Sequence, residues 1–371
     1  MNTTEKLPRS ISLTVTEGCN LACSYCYEHS KSPRMMKLET AKAIVDKELA
    51  ETEPDREIEF DFFGGEPFLA FPLIKEIAEY ICDNAGDRPY VLFASTNGTL
   101  IHGEIQDWLR EHPCFYCGLS LDGTREAHNI NRCNSYDDID LNFFLEQYPE
   151  QDVKMTIARN TLPMFADGVI ELHEKGFLVS CNLAYGIDWS DSSNADILEN
   201  QLMKLIEYYL AHPDIEPCSM LNMGIETAGI DSDKQEHTRW CGAGKYMTTY
   251  DVDGNPYPCQ FFMPLSIGKE KAESAKSLVF PDDIVPEDLL EPKCRDCVIA
   301  SICPNCFGSN YAATGNIYKR DPNLCTLTKI TMKARSYFKA EQWKRGQLKC
   351  DEDDLQLILR AILKIQHELE I

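Results

Sequence analysis

Three cysteines within eight residues constrain this chain more than any other feature. Cys19, Cys23 and Cys26 follow the apolar segment 11–15, which predicts a buried β-strand. Thiolates this close together on one loop cannot all pair with one another as disulfides, but they can converge on one metal centre. An iron–sulfur cubane takes Cys thiolates as ligands. Three local cysteines leave one of its four irons open for chemistry.

This spacing, with Tyr25 directly before the last cysteine, resembles the signature of the radical S-adenosylmethionine (SAM) enzymes. The resemblance implies that Cys19, Cys23 and Cys26 are catalytic ligands of a [4Fe–4S] cluster, with Tyr25 beside the cofactor. SAM would chelate the open iron through its amino and carboxylate groups. Its reductive cleavage would give methionine and a 5′-deoxyadenosyl radical, which abstracts a hydrogen from the substrate. A zinc site or a chance cluster is the alternative.

Composition narrows the class of protein. The 371 residues are 43% apolar, which supports one large domain or two. The sequence has no apolar run long enough to span a membrane and no apolar signal region at its start, which predicts a cytoplasmic protein without a membrane partner. Seventeen cysteines in a reducing compartment favour metal ligation over disulfides. The net charge of −24 argues against a nucleic-acid surface.

The first two thirds of the chain alternates strand and helix patterns, which predicts an α/β fold with parallel strands and right-handed crossovers. The predicted strands lie near 11–16, 57–63, 90–95, 117–121, 153–158 and 178–184, and the predicted helices near 39–51, 72–84, 102–111, 138–148, 167–175 and 196–211. The family resemblance implies a partial (β/α)6 radical SAM barrel. In such barrels the active site lies at the carboxyl ends of the strands, where the cysteine loop falls.

The second predicted strand ends in Gly64-Gly65-Glu66-Pro67. Adjacent glycines allow a close backbone approach to a ligand. The resemblance implies that these four residues bind cofactor, contacting the SAM amino group. The alternative is a plain turn that ends in proline at a helix start.

Polar residues also follow the third and fourth predicted strands. Ser95 and Asn97 end the third strand, and either bond the SAM ribose or hold an ordinary turn. The segment 120–123, with Arg132 downstream, looks like the family's Ser-Leu-Asp-Gly segment. Ser120 and Arg132 would then hold the SAM carboxylate, a task that suits the arginine fork. A surface ion pair is the alternative for Arg132.

A second cysteine array begins after a boundary near residues 212–230. Asp253-Gly254 predicts a hairpin between 246–252 and 256–258, which would bring Cys241 and Cys259 together. The array closely resembles the Cys-rich SPASM domain of radical SAM peptide maturases, which holds two auxiliary [4Fe–4S] clusters. The alternative is a pair of zinc sites.

The SPASM resemblance implies an interleaved ligand set. The first auxiliary cluster would take Cys241, Cys259 and Cys306, and the second would take Cys294, Cys297, Cys303 and Cys325. The family usually places three residues between the positions of Cys303 and Cys306, and this chain has two. The fourth ligand of the first cluster is either Cys218 or an open position for a substrate thiolate.

The domains follow from these segments. We expect a partial barrel over 1–215, a SPASM domain over 216–335 and a C-terminal helical segment over 336–371. In that last segment six apolar residues recur at three- and four-residue steps, an amphipathic stripe that predicts a helix packed on one of the other domains. They are Leu355, Ile358, Leu359, Ile362, Leu363 and Leu369.

Three functions remain open at this point. The first is modification of a ribosomally made peptide by a thioether or carbon-centred cross-link. It would require an electron donor such as flavodoxin or ferredoxin. Strand one begins by residue 11, so we expect no fused leader-recognition domain, and the peptide would be recognised by a separate leader-recognition protein or through the acidic surface of the enzyme. The second is an anaerobic sulfatase-maturating enzyme making formylglycine from Cys or Ser. That family has an aspartate where this chain has Gln260, which cannot act as a base. A non-enzymatic electron carrier would leave the glycine motif and Arg132 without a role.

Overall fold

The computed structural model describes residues 7–231 and 237–371. Strands and helices alternate along most of the chain. In these residues the strands are Arg9–Thr16 (β1), Ile58–Gly64 (β2), Tyr90–Thr96 (β3), Phe115–Leu119 (β4), Val153–Ile157 (β5), Val179–Leu183 (β6), Met247–Tyr250 (β7) and Pro256–Tyr257 (β8). The six strands predicted in the first two thirds of the chain are therefore confirmed, within two residues at each end.

The α-helices match the alternation equally well. In the described residues they are Leu38–Glu51 (α1), Phe71–Asn84 (α2), Glu104–Glu111 (α3), Arg125–Asn131 (α4), Leu141–Gln147 (α5), Phe165–Glu174 (α6), Ser193–Ala211 (α7), Ser219–Asn222 (α8), Pro264–Ile267 (α9), Lys269–Ala275 (α10), Pro292–Arg295 (α11), Phe307–Thr314 (α12), Pro322–Lys344 (α13) and Glu352–Glu368 (α14). No helix of the described residues is both long and apolar enough to cross a membrane.

The chain divides into two compact units made of interleaved segments. The first unit contains Met1–Leu121, Arg132–Asp152 and Gly242–Phe280. The second contains Asp122–Asn131, Val153–Cys241 and Pro281–Ile371. These units cut across the three expected domains, so the division at 1–215, 216–335 and 336–371 stays a prediction.

The first unit contains a six-stranded sheet in the order β4-β3-β2-β1-β7-β8. Strands β1 to β4 pair in parallel, as predicted. The predicted hairpin is confirmed, because β7 and β8 are antiparallel and Gly254 has a φ of 85° in the turn between them. Sequence reasoning missed the parallel pairing of β7 with β1, which adds the hairpin to the edge of this sheet.

The two faces of this sheet differ in chemistry. Ile11 and Leu13 of β1 and Phe60 of β2 are fully buried. The alternating residues on the opposite face are polar, and Ser12 of β1 donates a hydrogen bond to Asp61 of β2 at 3.0 Å. Successive residues of a strand point to opposite faces, so one face forms an apolar core and the other carries hydroxyl and carboxyl groups.

The second unit contains the parallel pair β5–β6 and most of the C-terminal helices. Helix α13 packs against α7 and against α14, and α14 also packs on the 3-10 helix Glu226–Gly229. Ile358, Ala361 and Ile365 of α14 are buried in this contact. The predicted C-terminal helix therefore exists and uses its apolar side for packing.

Candidate active site

The three cysteines of the first motif lie on the loop directly after β1. The backbone N–H of Cys26 donates to the carbonyl of Cys23 at 3.1 Å, and the N–H of Leu21 donates to Sγ of Cys19 at 3.4 Å. Lys31 lies beside two of the thiols. Burial lowers the pKa of Lys31, but the charges of Cys26, Cys19 and Glu28 and a hydrogen bond to Cys26 together leave that pKa raised. The three cysteines of this loop are free thiols and partly exposed, which fits thiolate ligation of a cluster.

The glycine pair of the second motif packs directly against this loop. Gly64 has a φ of 144°, and a Cβ atom there would lie 2.0 Å from the carbonyl oxygen of Thr16. A Cβ atom at Gly65 would lie 2.3 Å from the carbonyl oxygen of Gly18. These positions therefore need glycine so that the end of β2 can touch the start of the cysteine loop.

Glu66 connects the ends of β2 and β3. Its Oε1 accepts hydrogen bonds from Oγ1 of Thr96 at 2.8 Å and from the N–H of Phe68 at 3.2 Å. Its Oε2 accepts from the N–H of Asn97 at 2.7 Å. Burial raises the pKa of Glu66 to about 7, while the bonds from Asn97 and Thr96 act in the opposite direction. The carboxyl group is therefore a buried structural link, and Pro67 follows it as the first residue of the 3-10 helix Pro67–Ala70.

Asn97 ties the end of β3 to the cysteine loop. Its Nδ2 donates to Oδ1 of Asn20 at 2.9 Å, and Nδ2 of Asn20 donates to Oγ1 of Thr99 at 2.8 Å. Oδ1 of Asn97 accepts from the N–H of Thr99 at 3.0 Å. Sequence reasoning predicted a cofactor contact for Asn97 but missed Asn20, which lies in the sequence between two predicted cluster ligands and has no distinctive pattern around it.

The remaining predicted cofactor residues belong to the same compact unit. Arg132 is 7% exposed, and its guanidinium lies 5.5 Å from the centre of the Tyr25 ring. The positive charge of Arg132 also acts on Glu66. Ser120 donates its backbone N–H to the carbonyl of Thr96 at 2.9 Å, and Ser95 is half-buried at the end of β3. Tyr25, Glu66 and Arg132 thus lie together, while the SAM contacts assigned to these residues stay predictions.

Four cysteines of the second array surround one small cavity in the second unit. Cys294, Cys297, Cys303 and Cys325 all line this cavity of about 70 Å³. Burial is the main reason that the pKa of Cys303 is raised to about 11; the charge of Arg320 opposes this shift, and the other three thiols contribute to it. These four are the residues predicted to hold the second auxiliary cluster, and their gathering fits that donor set.

The predicted ligands of the first auxiliary cluster are divided between the two units. Cys306 and Cys241 both belong to the second unit, where burial, and then the charge of Cys241, raise the pKa of Cys306 to about 11. Cys259 belongs to the first unit. Its place in the same cluster stays a prediction.

Cys218, the other possible ligand, is 1% exposed in the core of the second unit. Its N–H donates to Oη of Tyr209 at 2.9 Å, and its thiol hydrogen-bonds to Cys181.

No group of three or more His, Cys, Asp or Glu side chains in residues 7–231 and 237–371 converges as tightly as the ligands of a single ion would. A cubane binds one thiolate at each iron, so its ligands are spread around its corners. Sequence reasoning missed Lys31 and Arg320, whose positions beside cysteine sulfur depend on the folded path of the chain. Their only signal in the sequence was proximity to cysteine motifs.

This chain is similar in sequence or in fold to several known proteins. A cysteine-type anaerobic sulfatase-maturating enzyme of Clostridium perfringens (strain 13 / Type A) is 37% identical over 128 residues, which are 32% of this chain and 33% of that protein. The chain therefore matches only a third of that relative's length. An AdoMet-dependent heme synthase of Methanosarcina barkeri (strain Fusaro / DSM 804) is 24% identical over 85% of this chain and 95% of that protein. The solved structure of native anSMEcpe with bound AdoMet and Cp18Cys peptide has a TM-score of 0.68 at 20% identity, covering 96% of this chain and 99% of that one.

The solved structure shows that the fold, including its Cys-rich C-terminal region, is shared along nearly the whole chain. The Radical SAM superfamily matches residues 13–200, which is just over half of the 371 residues. Members of that superfamily are enzymes that use a [4Fe–4S] cluster and SAM. The match begins in β1 and contains the three-cysteine loop, the glycine pair and Arg132, so this chain belongs to the radical SAM superfamily of enzymes.

Proposed function

We propose that this enzyme modifies a ribosomally made peptide, in which it forms a thioether or a carbon-centred cross-link. The observation that carries the proposal is the gathering of Cys294, Cys297, Cys303 and Cys325 around one cavity, in addition to the three-cysteine loop. A cross-link requires the substrate radical to lose one electron after hydrogen abstraction. Iron–sulfur clusters accept single electrons. The peptide bound in the solved neighbour of the same fold supports a peptide substrate.

The residues of the first unit would hold the cofactors. When bound, the [4Fe–4S] cluster and SAM supply the 5′-deoxyadenosyl radical that abstracts a hydrogen from the substrate. Cys19, Cys23 and Cys26 would ligate the cluster. Ser120 and Arg132 would bind the SAM carboxylate, because an arginine fork matches a carboxylate with two parallel hydrogen bonds.

The backbone of the glycine motif, residues 64–67, would receive the SAM amino group. Ser95 and Asn97 would lie beside the ribose, with Tyr25 against the cofactor. Asn97 and Glu66 also fix the shape of this site, since both already bond to the segments around it.

The first auxiliary cluster would offer an open iron to a substrate thiolate. Its motif supplies only Cys241, Cys259 and Cys306. Cys218 makes its hydrogen bonds to Cys181 and Tyr209 instead, which supports an open position. A metal-bound thiol loses its proton readily, and this would hold a substrate cysteine for bond formation.

A sulfatase-maturating activity is the second candidate. The 37% identity to the clostridial enzyme over 128 residues favours it. Gln260 opposes it, because a carboxamide cannot accept the proton that the substrate must release. Gln260 begins the 3-10 helix Gln260–Phe262, and its backbone carbonyl accepts a hydrogen bond from the Ser266 hydroxyl at 2.8 Å.

Other proteins would take part in either reaction. An electron donor such as flavodoxin or ferredoxin would reduce the first cluster. A separate leader-recognition protein would deliver the peptide, or the acidic surface of the enzyme would bind it directly. These proteins would work in the cytoplasm.

The test begins with SAM cleavage and ends with the product. With dithionite the reconstituted enzyme should release 5′-deoxyadenosine, and the variant with Cys19, Cys23 and Cys26 replaced by Ala should release none. The enzyme is then co-expressed with small Cys-rich peptides encoded beside its gene. It should remove hydrogens from the peptide in pairs, which mass spectrometry measures. Formylglycine in a co-expressed sulfatase would establish the second candidate instead. Heme synthesis by the purified enzyme would contradict both.

A further inference from the structure

Arg320 lies beside one of the cysteines predicted to ligate the second auxiliary cluster. Its Nη1 donates a hydrogen bond to Sγ of Cys303, and its Nη2 donates to the carbonyl of the same residue at 3.2 Å. Its backbone N–H donates to Oε2 of Glu291 at 3.1 Å. The guanidinium and the main chain are both held, so the arginine fork faces the sulfur in a fixed orientation.

The local chain explains why this arginine stays next to the cysteines. Asp321 follows it and caps α13, with its carboxylate accepting the N–H of Asn323 at 2.9 Å. Cys325 lies in the first turn of the same helix. The helix start therefore positions a sulfur ligand and the arginine together, and Arg320 lines the cavity that the four cysteines share.

The charge of Arg320 is directed at sulfur and not at a carboxylate. In residues 7–231 and 237–371, no Asp or Glu side chain lies within ion-pair distance of its guanidinium. Burying part of a charge costs less when a counter-charge lies close by. As ligands of a cluster, Cys303 and the other three cysteines around the cavity would be thiolates, and their negative charge would then lie beside this guanidinium.

We infer that Arg320 raises the reduction potential of the second auxiliary cluster by hydrogen-bonding to its ligand Cys303. This inference rests on the proposed function, which assigns a cluster to these four cysteines. A hydrogen bond to a ligand sulfur withdraws negative charge from the centre, and this stabilises the reduced form more than the oxidised form. A higher potential makes the centre a better acceptor for the one electron that the substrate radical loses.

The experiment measures the potential of this cluster and not turnover. The whole enzyme is reconstituted anaerobically and titrated with a reductant while its electron paramagnetic resonance (EPR) spectrum is recorded. The signal of the second auxiliary cluster is identified by its loss in Cys294→Ala. Arg320→Gln should shift that midpoint potential to a more negative value at unchanged iron content. Arg320→Lys, which keeps the charge but loses the fork, should give a smaller shift.

Arg295 provides a matched control in the same ligand region. It follows Cys294 directly, but its Nε donates to the carbonyl of Leu290 at 3.2 Å and its Nη2 to that of Asp288 at 3.3 Å. Arg295→Gln therefore removes one nearby positive charge without removing a bond to sulfur. The midpoint potential of the second auxiliary cluster in Arg295→Gln should equal that in the wild type.

The outcomes separate this inference from the proposed function. An unchanged potential in Arg320→Gln overturns the inference, and so does an equal shift in Arg295→Gln. A wild-type enzyme whose EPR signals and iron content show no cluster at these cysteines overturns the proposed function itself. If Arg320→Gln does not retain iron, resonance Raman spectra of the wild type in H2O and D2O decide. An isotope-sensitive iron–sulfur stretch of this cluster is expected, and its absence would count against the hydrogen bond.

Discussion

Arg132 is held in place by an unusual turn. The two residues after it, Cys133 and Asn134, have φ values of 58° and 60°. Left-handed backbone costs a residue other than glycine on the order of 1 kcal/mol or more. These two strained residues directly follow Arg132, which is 7% exposed and lies over the Tyr25 ring. Such strain is common where a side chain must be aimed at a ligand.

Arg132→Met should weaken SAM binding while leaving the iron content unchanged. The substitution keeps an apolar stem of similar length but removes the charge-assisted hydrogen bonds to the SAM carboxylate, which are worth about 1.5 to 3 kcal/mol. The dissociation constant for SAM should therefore rise by roughly ten- to a hundredfold. Equilibrium dialysis with anaerobic enzyme measures it, and iron analysis is the control. A variant that binds SAM normally would remove Arg132 from the cofactor site.

Asp61 is a second residue whose environment predicts a measurable effect. It lies on the polar face of the sheet, where Oδ2 accepts from Ser12, and Oδ1 is buried without a partner among the described residues. Burial is the main reason that the pKa of Asp61 is raised to about 7; the hydrogen bond from Ser12 opposes this shift, and the charge of Glu59 contributes to it. Tyr27 is the other titratable neighbour whose pKa this carboxyl affects.

The sign of the pH effect follows from that raised pKa. Between about pH 4 and pH 7 the folded protein keeps the Asp61 proton that the unfolded chain has lost, so folding stability falls as pH rises through this window. Asp61→Asn removes this loss. The free energy of unfolding of this variant relative to the wild type should rise from pH 5 to pH 7, by on the order of 1 to 3 kcal/mol, and then level off. Calorimetry at several pH values measures it.

Glu59→Gln tests the electrostatic part of this effect. Glu59 lies two residues earlier on the same strand and accepts from Ser10 at 3.3 Å. Removing its charge should lower the pKa of Asp61 in part, so this variant should show a smaller change of the same sign. A stability difference for Asp61→Asn that stays constant with pH would show that Asp61 does not titrate in this window.

At the scale of elements, the sequence predicted those strands and turns that a local residue pattern determines. Apolar runs and flanking turns located β1 to β6, and Asp253-Gly254 located the hairpin. The pairing of β7 with β1 escaped prediction because the two strands are more than 230 residues apart and β7 has only four residues. Parallel pairing between distant short strands has no signature in either strand alone.

Helix α14 shows a similar limit. Six apolar residues formed its predicted stripe, yet the structure buries Ile358 and leaves Leu363 60% exposed. Ala361 and Ile365 are fully buried, and neither belonged to the stripe. The apolar period identifies the helix, but the neighbouring α13 and the 3-10 helix Glu226–Gly229 decide which residues become core.

Ile365→Ala should destabilise the second unit, whereas Leu363→Ala should not. Ile365 is 0% exposed in a cluster with Ile299, Met332 and Ile358, so its truncation leaves a cavity that costs about 2 to 5 kcal/mol. Leu363 lies on the same helix, and its truncation should change stability by less than about 0.5 kcal/mol. Denaturant unfolding followed by circular dichroism compares them. Similar midpoints for the two variants would mean that α14 does not use this face for packing.

At the scale of the whole molecule, the interleaved units explain why the metal sites were only partly predictable. The four cysteines predicted to hold the second auxiliary cluster lie within the second unit, where a short stretch of chain and the start of α13 bring them to one cavity. Cys241 and Cys306 also belong to this unit, but Cys259 follows β8 in the first. The resemblance of the motif predicted these cysteines as ligands, and that stays a prediction, whereas the assignment of each to a unit depends on long-range packing.

The final prediction concerns total iron. Three cubanes give about twelve irons per chain, and each cluster accounts for about four. Replacing Cys19, Cys23 and Cys26 together should remove about four, and replacing Cys294 and Cys303 together should remove about four others, because these sets are separate. Iron analysis after anaerobic reconstitution measures both. Stoichiometric zinc with the iron of a single cluster would contradict the SPASM assignment.

Cys218→Ala distinguishes the two possible forms of the first auxiliary cluster. The Cys218 thiol lies in the core of the second unit and makes a hydrogen bond with Cys181. Its removal should therefore lower the melting temperature. It should leave all the irons in place. Full iron with full activity on the genuine peptide agrees with an open iron that receives the substrate thiolate. Loss of about four irons would identify Cys218 as the fourth ligand. A substrate cysteine could then bind only after Cys218 had left the cluster. The hydrogen bonds of Cys218 to Cys181 and Tyr209 would in that case belong to a conformation in which Cys218 does not ligate iron.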